Sequence, residues 1–252
     1  MEQNHLFYRR ILQAVSRAGI PFLIGGAFAL DFHIGANRRK TKDLDIFVRP
    51  QHAYAVLDEL AAAGYETEMT DPTWLGKVFC GSEFVDVIFA FGNGIAQIDD
   101  GWFEHAVEGE LWGERVLFGP LEENLWSKAF VMERDRFDGA DIAHVILHAA
   151  ERLDWDRLLE RFGEDWRVLL SHLILTGYVY PAARARIPRQ VMDELLARLE
   201  TELEVPGPER LCYGAFLSRT QYVRDLQEAS MVDARLLRKH NAKPLERGNI
   251  AV

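Results

Sequence analysis

Residues 22–47 place a Gly-Gly turn a short distance before a strand that carries two aspartates. This strand, residues 43–48 with the sequence DLDIFV, alternates polar and apolar residues at its start. Because side chains alternate between the faces of a strand that rises about 3.3 Å per residue, Asp43 and Asp45 point the same way, with Cα atoms roughly 6 to 7 Å apart. Carboxylates at that spacing predict a shared pair of divalent ions, which lie about 3.5 to 4 Å apart in enzymes of phosphoryl transfer.

A third carboxylate lies in a later apolar run, residues 83–91 with the sequence EFVDVIFAF. The β-branched and aromatic residues of this run predict one buried strand. At its centre stands Asp86, and a buried carboxylate is costly unless it has a partner. If this strand pairs beside the first one, Asp86 reaches the same metal ions, and Mg²⁺ prefers oxygen ligands of this kind.

Upstream of the aspartates, the sequence predicts a site for phosphate groups. Residues 21–24 indicate a short buried strand, and Gly25-Gly26 indicates a tight turn into a helix over residues 27–32. Glycine lets the backbone approach an anion closely, and the N–H groups at a helix start favour phosphate. Residues 38–42, RRKTK, add positive charge immediately before the aspartates. A triphosphate with its metal ions is therefore expected in this region.

The order of these motifs resembles the DNA polymerase beta-like nucleotidyltransferase superfamily. Within it, the first half of the chain is similar to the small bacterial nucleotidyltransferases that include antibiotic-modifying enzymes and toxin or antitoxin proteins. The residues that carry this resemblance are Gly25, Gly26, Ala27, Ala29, His33, Gly35, Arg39, Thr41, Asp43, Leu44 and Asp45. The resemblance implies an α/β (α+β) fold, in which a mixed sheet is flanked by helices.

The resemblance also implies the roles of individual residues. The implied catalytic residues and Mg²⁺ ligands are Asp43, Asp45 and Asp86. The implied contacts with the nucleotide phosphates are Gly25, Gly26, Arg39, Thr41 and Lys128. Many relatives have serine after the first glycine of the turn, whereas this chain has Gly26, so the backbone alone is expected to hold phosphate there. For Lys128 the alternative is a position on a helix surface near Glu122 and Glu123.

By the same resemblance, the chain is expected to be a Mg²⁺-dependent nucleotidyltransferase with a two-metal site. It would move a nucleoside monophosphate from a nucleoside triphosphate, with ATP as the default, to a hydroxyl of a small molecule, a protein or an RNA end, and release pyrophosphate. Asp86 is the expected acceptor of the hydroxyl proton, with Glu83 and Asp31 as alternatives. The alternative function is a catalytically inactive binding protein of the same fold, such as a toxin or antitoxin component. A homodimer or such a toxin or antitoxin partner is the expected assembly.

The charge balance narrows the choice of acceptor. Of 252 residues, 29 are lysine or arginine and 39 are aspartate or glutamate, which gives a net charge of −10. Broad nucleic-acid binding normally shows as a basic surface, so a small and preferably cationic acceptor is expected. Cys80 and Cys212 suggest neither a zinc site nor a disulfide framework, and no apolar run is long enough to span a bilayer. A cytoplasmic protein without a membrane partner is expected.

The sequence changes character near Pro120. Strands and helices are mixed before this residue, whereas helical periods dominate after it, for example over residues 189–203. The predicted organisation is a nucleotidyltransferase domain at 1–119, a helical domain on the acceptor side at 120–235 and a flexible tail at 236–252.

Overall fold

The computed structural model describes residues 2–35, 43–228, 230–238 and 244–247 of the chain. Arg39 and Thr41, two of the predicted nucleotide contacts, lie outside the described residues. The chain divides into two compact units, one formed by Met1–Pro120 with His240–Val252 and the other by Leu121–Lys239. The functional domains predicted at 1–119, 120–235 and 236–252 stay a prediction.

The first unit is built on a mixed sheet. Among the described residues its strands are β1 (Leu23–Ile24), β2 (Leu44–Phe47), β3 (Glu66–Asp71), β4 (Leu75–Cys80), β5 (Glu83–Ile88), β6 (Val107–Leu111) and β7 (Glu114–Phe118). They are hydrogen-bonded in the order β3-β4-β5-β2-β1-β7-β6. The pairs β2–β5 and β1–β7 are parallel, and the other pairs are antiparallel. The predicted α/β (α+β) class is confirmed, as is the prediction that the strand with Asp86 lies beside the strand with Asp45.

Helices accompany this sheet and bury its core face. In the described part of the unit they are α1 (Glu2–Arg17), α2 (Gly26–Ile34), α3 (Ala53–Ala62) and α4 (Asp100–Glu104). On α1, Ile11, Leu12 and Val15 lie on one face at helical spacing and are at most 1% exposed. Each such side chain contributes about 1.5–3 kcal/mol on burial. They share a core with Leu44 and Val85, which point away from the neighbouring aspartates because strand side chains alternate.

Two strands differ from the sequence prediction. The sequence predicts a strand over residues 78–80, but β4 begins at Leu75 and therefore includes Lys77. Gly76 and Lys77 interrupt the apolar run and hide the start of this strand. Strand β6 was not predicted, because its residues VEGEL include two glutamates and a glycine and it pairs at an edge of the sheet.

The second unit is largely helical, as predicted for the later part of the chain. Its described helices are α5 (Leu121–Ala129), α6 (Gly139–Ala149), α7 (Trp155–Phe162), α8 (Trp166–Val179), α9 (Arg189–Leu203), α10 (Gly214–Leu217) and α11 (Val223–Gln227). Two short strands, β8 (Leu211–Cys212) and β9 (Val232–Asp233), pair in parallel. Across the described ranges of both units, helices that combine the length and apolar character needed to cross a bilayer are absent.

The described residues near the C-terminus make specific contacts. Arg238 forms an ion pair with Asp165 in the second unit, with 2.6 Å between Nη1 and Oδ2. Leu245 lies in the first unit, where its N–H donates to the carbonyl of Pro72 at 2.8 Å and its carbonyl accepts from the hydroxyl of Tyr54 at 3.2 Å. The side chain of Leu245 packs against the core of that unit. These residues of the predicted tail are therefore each bound within their own unit.

Candidate active site

Asp45 and Asp86 stand opposite each other on neighbouring strands. The register of the parallel pair β2–β5 places Asp45 beside Asp86 and Leu44 beside Val85. Register partners share one face of a sheet, so both aspartates lie on the face opposite the apolar core, on strands about 4.8 Å apart. Both residues are half-buried. Since like charges this close repel, the pair requires a counter-charge.

Asp43 lies one residue before β2 and belongs to the same charged region. The nearby phenol of Tyr8 on α1 donates a hydrogen bond to Oε2 of Glu83 at 3.4 Å. Burial is the main cause that raises the pKa of Tyr8 to about 12, and the charges of Glu83, Asp43 and Asp45 raise it further. Tyr8 therefore stays protonated at neutral pH and acts as a hydrogen-bond donor beside these acids.

The predicted phosphate turn packs directly on the strand that carries Asp45. The N–H of Gly25 donates to the carbonyl of Asp45 at 3.0 Å, and a Cβ added at Gly25 would lie 2.3 Å from the ring of Phe47. Gly26 has a φ of +55°, and a Cβ there would lie 1.7 Å from Oδ2 of Asp45. A serine has no room at this position while Asp45 keeps its place. Close packing thus accounts for both glycines, and their contact with phosphate stays a prediction.

Lys77 is a residue of this region that the sequence prediction missed. In the antiparallel pair β4–β5 it stands beside Asp86, and its Nζ lies 2.5 Å from Oδ1 of Asp86. The same Nζ lies 4.1 Å from the ring centroid of Phe84. A lone cation in the otherwise apolar segment of residues 75–80 is the signal that could have identified it, by the reasoning that identified Asp86.

The side chains present fit a Mg²⁺ site in their chemistry. In the residues that the structure covers, no group of three or more His, Cys, Asp or Glu side chains is arranged to hold a metal ion. Enzymes of phosphoryl transfer usually bind Mg²⁺ through one or two carboxylates, water and the substrate phosphates rather than through a complete protein cage. The pair of Asp45 and Asp86 supplies such carboxylates, and Oδ2 of Asp45 lies against Gly26, where a Cβ would displace it. The assignment of Asp43, Asp45 and Asp86 as metal ligands stays a prediction.

Lys128 belongs to the second unit and is buried. It is 7% exposed, and its Nζ lies 2.7 Å from Oδ2 of Asp141 and 3.2 Å from Oδ2 of Asp138. Burial by itself would raise the pKa of Asp138, but Lys128 and Arg136 outweigh burial and hold this pKa below its ordinary value. The alternative of a lysine on the helix surface is therefore wrong. The predicted contact of Lys128 with nucleotide phosphates stays a prediction.

A family of known enzymes matches the segment that contains these aspartates. Residues 8–87 match the aminoglycoside-2''-adenylyltransferase family. The match covers just under a third of the chain and includes the Gly-Gly turn, the three predicted aspartates and Lys77. A search of curated proteins finds no match to the chain. The family match confirms the predicted resemblance to nucleotidyltransferases and the prediction of an enzyme of that class.

Solved structures resemble the chain at low sequence identity. The antibiotic-resistance factor ANT(2'')-Ia in solution is 17% identical, with 81% of this chain and 98% of that chain covered and a TM-score of 0.42. The lincosamide antibiotic adenylyltransferase LnuA with lincomycin bound is 17% identical, with 56% and 94% covered and a TM-score of 0.38. JHP933 from Helicobacter pylori is 16% identical, with 81% and 96% covered and a TM-score of 0.39. At TM-scores this low, these likenesses carry no functional argument.

Proposed function

We propose that this protein is a Mg²⁺-dependent nucleotidyltransferase that transfers AMP from ATP to a hydroxyl group of a small molecule and releases pyrophosphate. The observation that carries this proposal is the placement of Asp45 beside Asp86, with Gly26 packed on the carboxylate of Asp45. Neighbouring strands lie about 4.8 Å apart, which suits carboxylates that share metal ions about 3.5 to 4 Å apart.

The proposed reaction forms one bond and breaks one bond at the α-phosphorus of ATP. The oxygen of the acceptor hydroxyl bonds to this phosphorus, while the bond from the phosphorus to the pyrophosphate oxygen breaks. Asp43, Asp45 and Asp86 are the residues that would hold Mg²⁺, which supplies positive charge at the reacting phosphate. Asp86 is assigned as the acceptor of the hydroxyl proton. The N–H groups at the start of α2, next to Gly25 and Gly26, are assigned to the phosphate oxygens.

The choice of ATP and of a small acceptor rests on the matched family and on charge. The family is named for adenylyl transfer to the 2'' position of an aminoglycoside. Such acceptors carry several hydroxyl and amino groups, and a net charge of −10 favours the approach of cations. We therefore propose a cationic, polyhydroxylated small molecule as the acceptor class.

The ion pair between Lys77 and Asp86 favours a second candidate function. An ammonium group on a carboxylate oxygen competes with a metal ion for that oxygen, and a protein that has lost its metal site can retain such a pair. The second candidate is therefore a catalytically inactive binding protein, such as a toxin or antitoxin component.

Calorimetric titration of ATP with Mg²⁺ into the wild type and into Asp45→Asn tests the proposed function. We expect metal-dependent binding by the wild type and an affinity lower by about tenfold or more in the variant, because a carboxylate ligand is lost. Release of pyrophosphate with a series of cationic hydroxylated acceptors then measures transfer. Glu66→Gln is the matched control, because it removes an exposed carboxylate from β3 of the same sheet.

Two results would separate the candidates. If the folded wild type binds no nucleoside triphosphate with Mg²⁺, the enzyme proposal is wrong and the inactive binding protein is favoured. If ATP binds equally well to the wild type and to Asp45→Asn, the protein binds nucleotide but the aspartates have been assigned wrongly.

A further inference from the structure

We propose that Lys77 is a positioning residue that fixes the carboxylate of Asp86 for metal binding. This inference rests on the proposed function and deepens it. The Nζ of Lys77 lies 2.5 Å from Oδ1 of Asp86, and the two side chains are 22% and 15% exposed. An exposed ion pair is weakened by water and by the entropy of two mobile side chains. This pair is largely shielded from water, so it can hold Asp86 in one orientation.

Lys77 lies in a row of charged residues that crosses four strands. The strand registers place Glu68 beside Lys77, Lys77 beside Asp86, and Asp86 beside Asp45. Because register partners share a face of the sheet, the charges along this row are negative, positive, negative and negative. Lys77 is the cation of the row and adjoins one of the two carboxylates that repel each other. Its positive charge partly balances the two negative charges, and it anchors Oδ1 of Asp86 from the side away from Asp45.

Phe84 holds the ammonium group from a second direction. Its ring centroid lies 4.1 Å from Nζ of Lys77, and a cation is attracted to the face of an aromatic ring. Phe84 and Asp86 are two residues apart on β5, so both side chains lie on the same face of the strand. The ammonium group thus contacts a ring and a carboxylate that belong to one strand. Their spacing is set by the backbone of β5, which gives Lys77 a defined place.

Positioning and simple electrostatics predict opposite effects on metal binding. If Lys77 acted only as a positive charge near the site, its removal would strengthen the binding of a divalent cation. If Lys77 orients Asp86, its removal lets the carboxylate of Asp86 rotate out of the orientation that binds the metal ion, and metal binding weakens. Hydrogen-bond partners of metal-binding carboxylates typically contribute about 10- to 100-fold in metal affinity or activity. Because Lys77 is held in one position by Asp86 and Phe84, we expect its removal to weaken metal binding.

Mn²⁺ binding in the presence of a non-reactive ATP analogue tests this inference without turnover. Lys77→Met keeps the length of the side chain but removes its charge, and we expect Mn²⁺ affinity to fall by about tenfold, as measured from the electron paramagnetic resonance of unbound Mn²⁺. Lys77→Arg keeps a cationic donor and is expected to recover part of this affinity. In transfer assays, kcat of Lys77→Met is expected to fall by about tenfold while KM for ATP changes little, because Lys77 contacts Asp86. Arg115→Met, which removes an exposed cation from β7, is the control.

The outcomes distinguish this inference from the proposed function. Equal or tighter Mn²⁺ binding by folded Lys77→Met would overturn the positioning role alone, and tighter binding would identify Lys77 as a competitor of the metal. A wild type that binds no Mn²⁺ with nucleotide would overturn both proposals. If Lys77→Met does not fold, Phe84→Leu provides the test, because it removes the ring and keeps the ion pair. Its Mn²⁺ affinity is expected to fall by about twofold to fivefold, and an unchanged affinity would overturn the positioning role.

Discussion

Replacement of Gly26 by alanine is expected to destabilise the first unit and to disturb the position of Asp45. Gly26 has a φ of +55°, and the left-handed conformation costs a residue with a Cβ about 1–2 kcal/mol. The new Cβ would also lie 1.7 Å from Oδ2 of Asp45, so the carboxylate has to move. Forcing an extra methyl group into a packed site costs about 1–3 kcal/mol. Together these costs give a loss of roughly 2–5 kcal/mol in the free energy of unfolding.

Two other glycines allow the conformational cost and the packing cost to be measured separately. Gly19 has a φ of +69°, but a Cβ there would meet no atom within 4 Å. Gly19→Ala is therefore expected to carry the conformational cost of about 1–2 kcal/mol alone. Gly25 has a φ of −114°, and a Cβ there would lie 2.3 Å from the ring of Phe47. Gly25→Ala is expected to carry only the packing cost of about 1–3 kcal/mol.

Urea unfolding of the three alanine variants, followed by the Mg²⁺ and ATP titration, measures both effects. Gly26→Ala should lose the most stability, and it should lose metal-dependent ATP binding because Asp45 is displaced. Gly19→Ala should bind ATP as the wild type does. If Gly26→Ala and Gly19→Ala lose the same free energy of unfolding and both bind ATP normally, Asp45 does not pack on Gly26 and the packing account of this turn is refuted.

Three further predictions concern stability. Lys128→Met should lower the free energy of unfolding by about 3 kcal/mol in urea, because it removes the buried cation that contacts both Asp138 and Asp141 and leaves Asp138 with Arg136 alone, and a neutral result would contradict this role. In the folded protein, burial holds the pKa of His172 below its ordinary value of about 6.5. As the pH falls, His172 therefore takes up a proton in the unfolded chain before it does so in the folded protein, and the free energy of unfolding should decrease below about pH 6.5. His172→Gln should flatten this part of the profile of unfolding free energy against pH, and an unchanged slope would exclude His172 as its source. Leu245→Ala should destabilise the first unit by about 1 kcal/mol, since its partly buried side chain packs on that core, and amide hydrogen exchange should detect faster opening of that unit but not of the second.

The sequence predicted those features of the fold that leave a periodic or chemical pattern. Helix α9 occupies the range 189–203 that was predicted for it from its helical period. The pairing of β2 with β5 was predicted because Asp86 stands in an apolar strand, where a carboxylate needs a partner. In the structure, Asp86 stands beside Asp45 and forms an ion pair with Lys77. An unexplained charge in a strand was therefore a reliable guide to a contact across the sheet.

Features that depend on contacts between distant residues were not predictable from one sequence. The sequence indicated a backbone phosphate site at Gly26, but it contained no sign that the carboxylate of Asp45 fills the space where a Cβ would stand. Lys77 was missed because Gly76 broke the apolar run. For Lys128 a surface position was left open as the alternative, because its acids follow 10 and 13 residues later. Such partners become neighbours only when the chain folds, and secondary-structure propensity, which depends on residues close in sequence, does not reveal them.

The contacts of Leu245 impose an order on the folding of the newly made chain. Protein synthesis runs from the N-terminus, so residues 121–239 are made before Leu245 is available to bind Pro72 and Tyr54. The first unit therefore emerges from the ribosome early but completes its core late, after the whole helical unit has been translated. A fragment that ends at Pro120 would lack the contacts of Leu245 permanently. A chain on a ribosome that stalls within the helical unit would lack them for as long as the stall lasts.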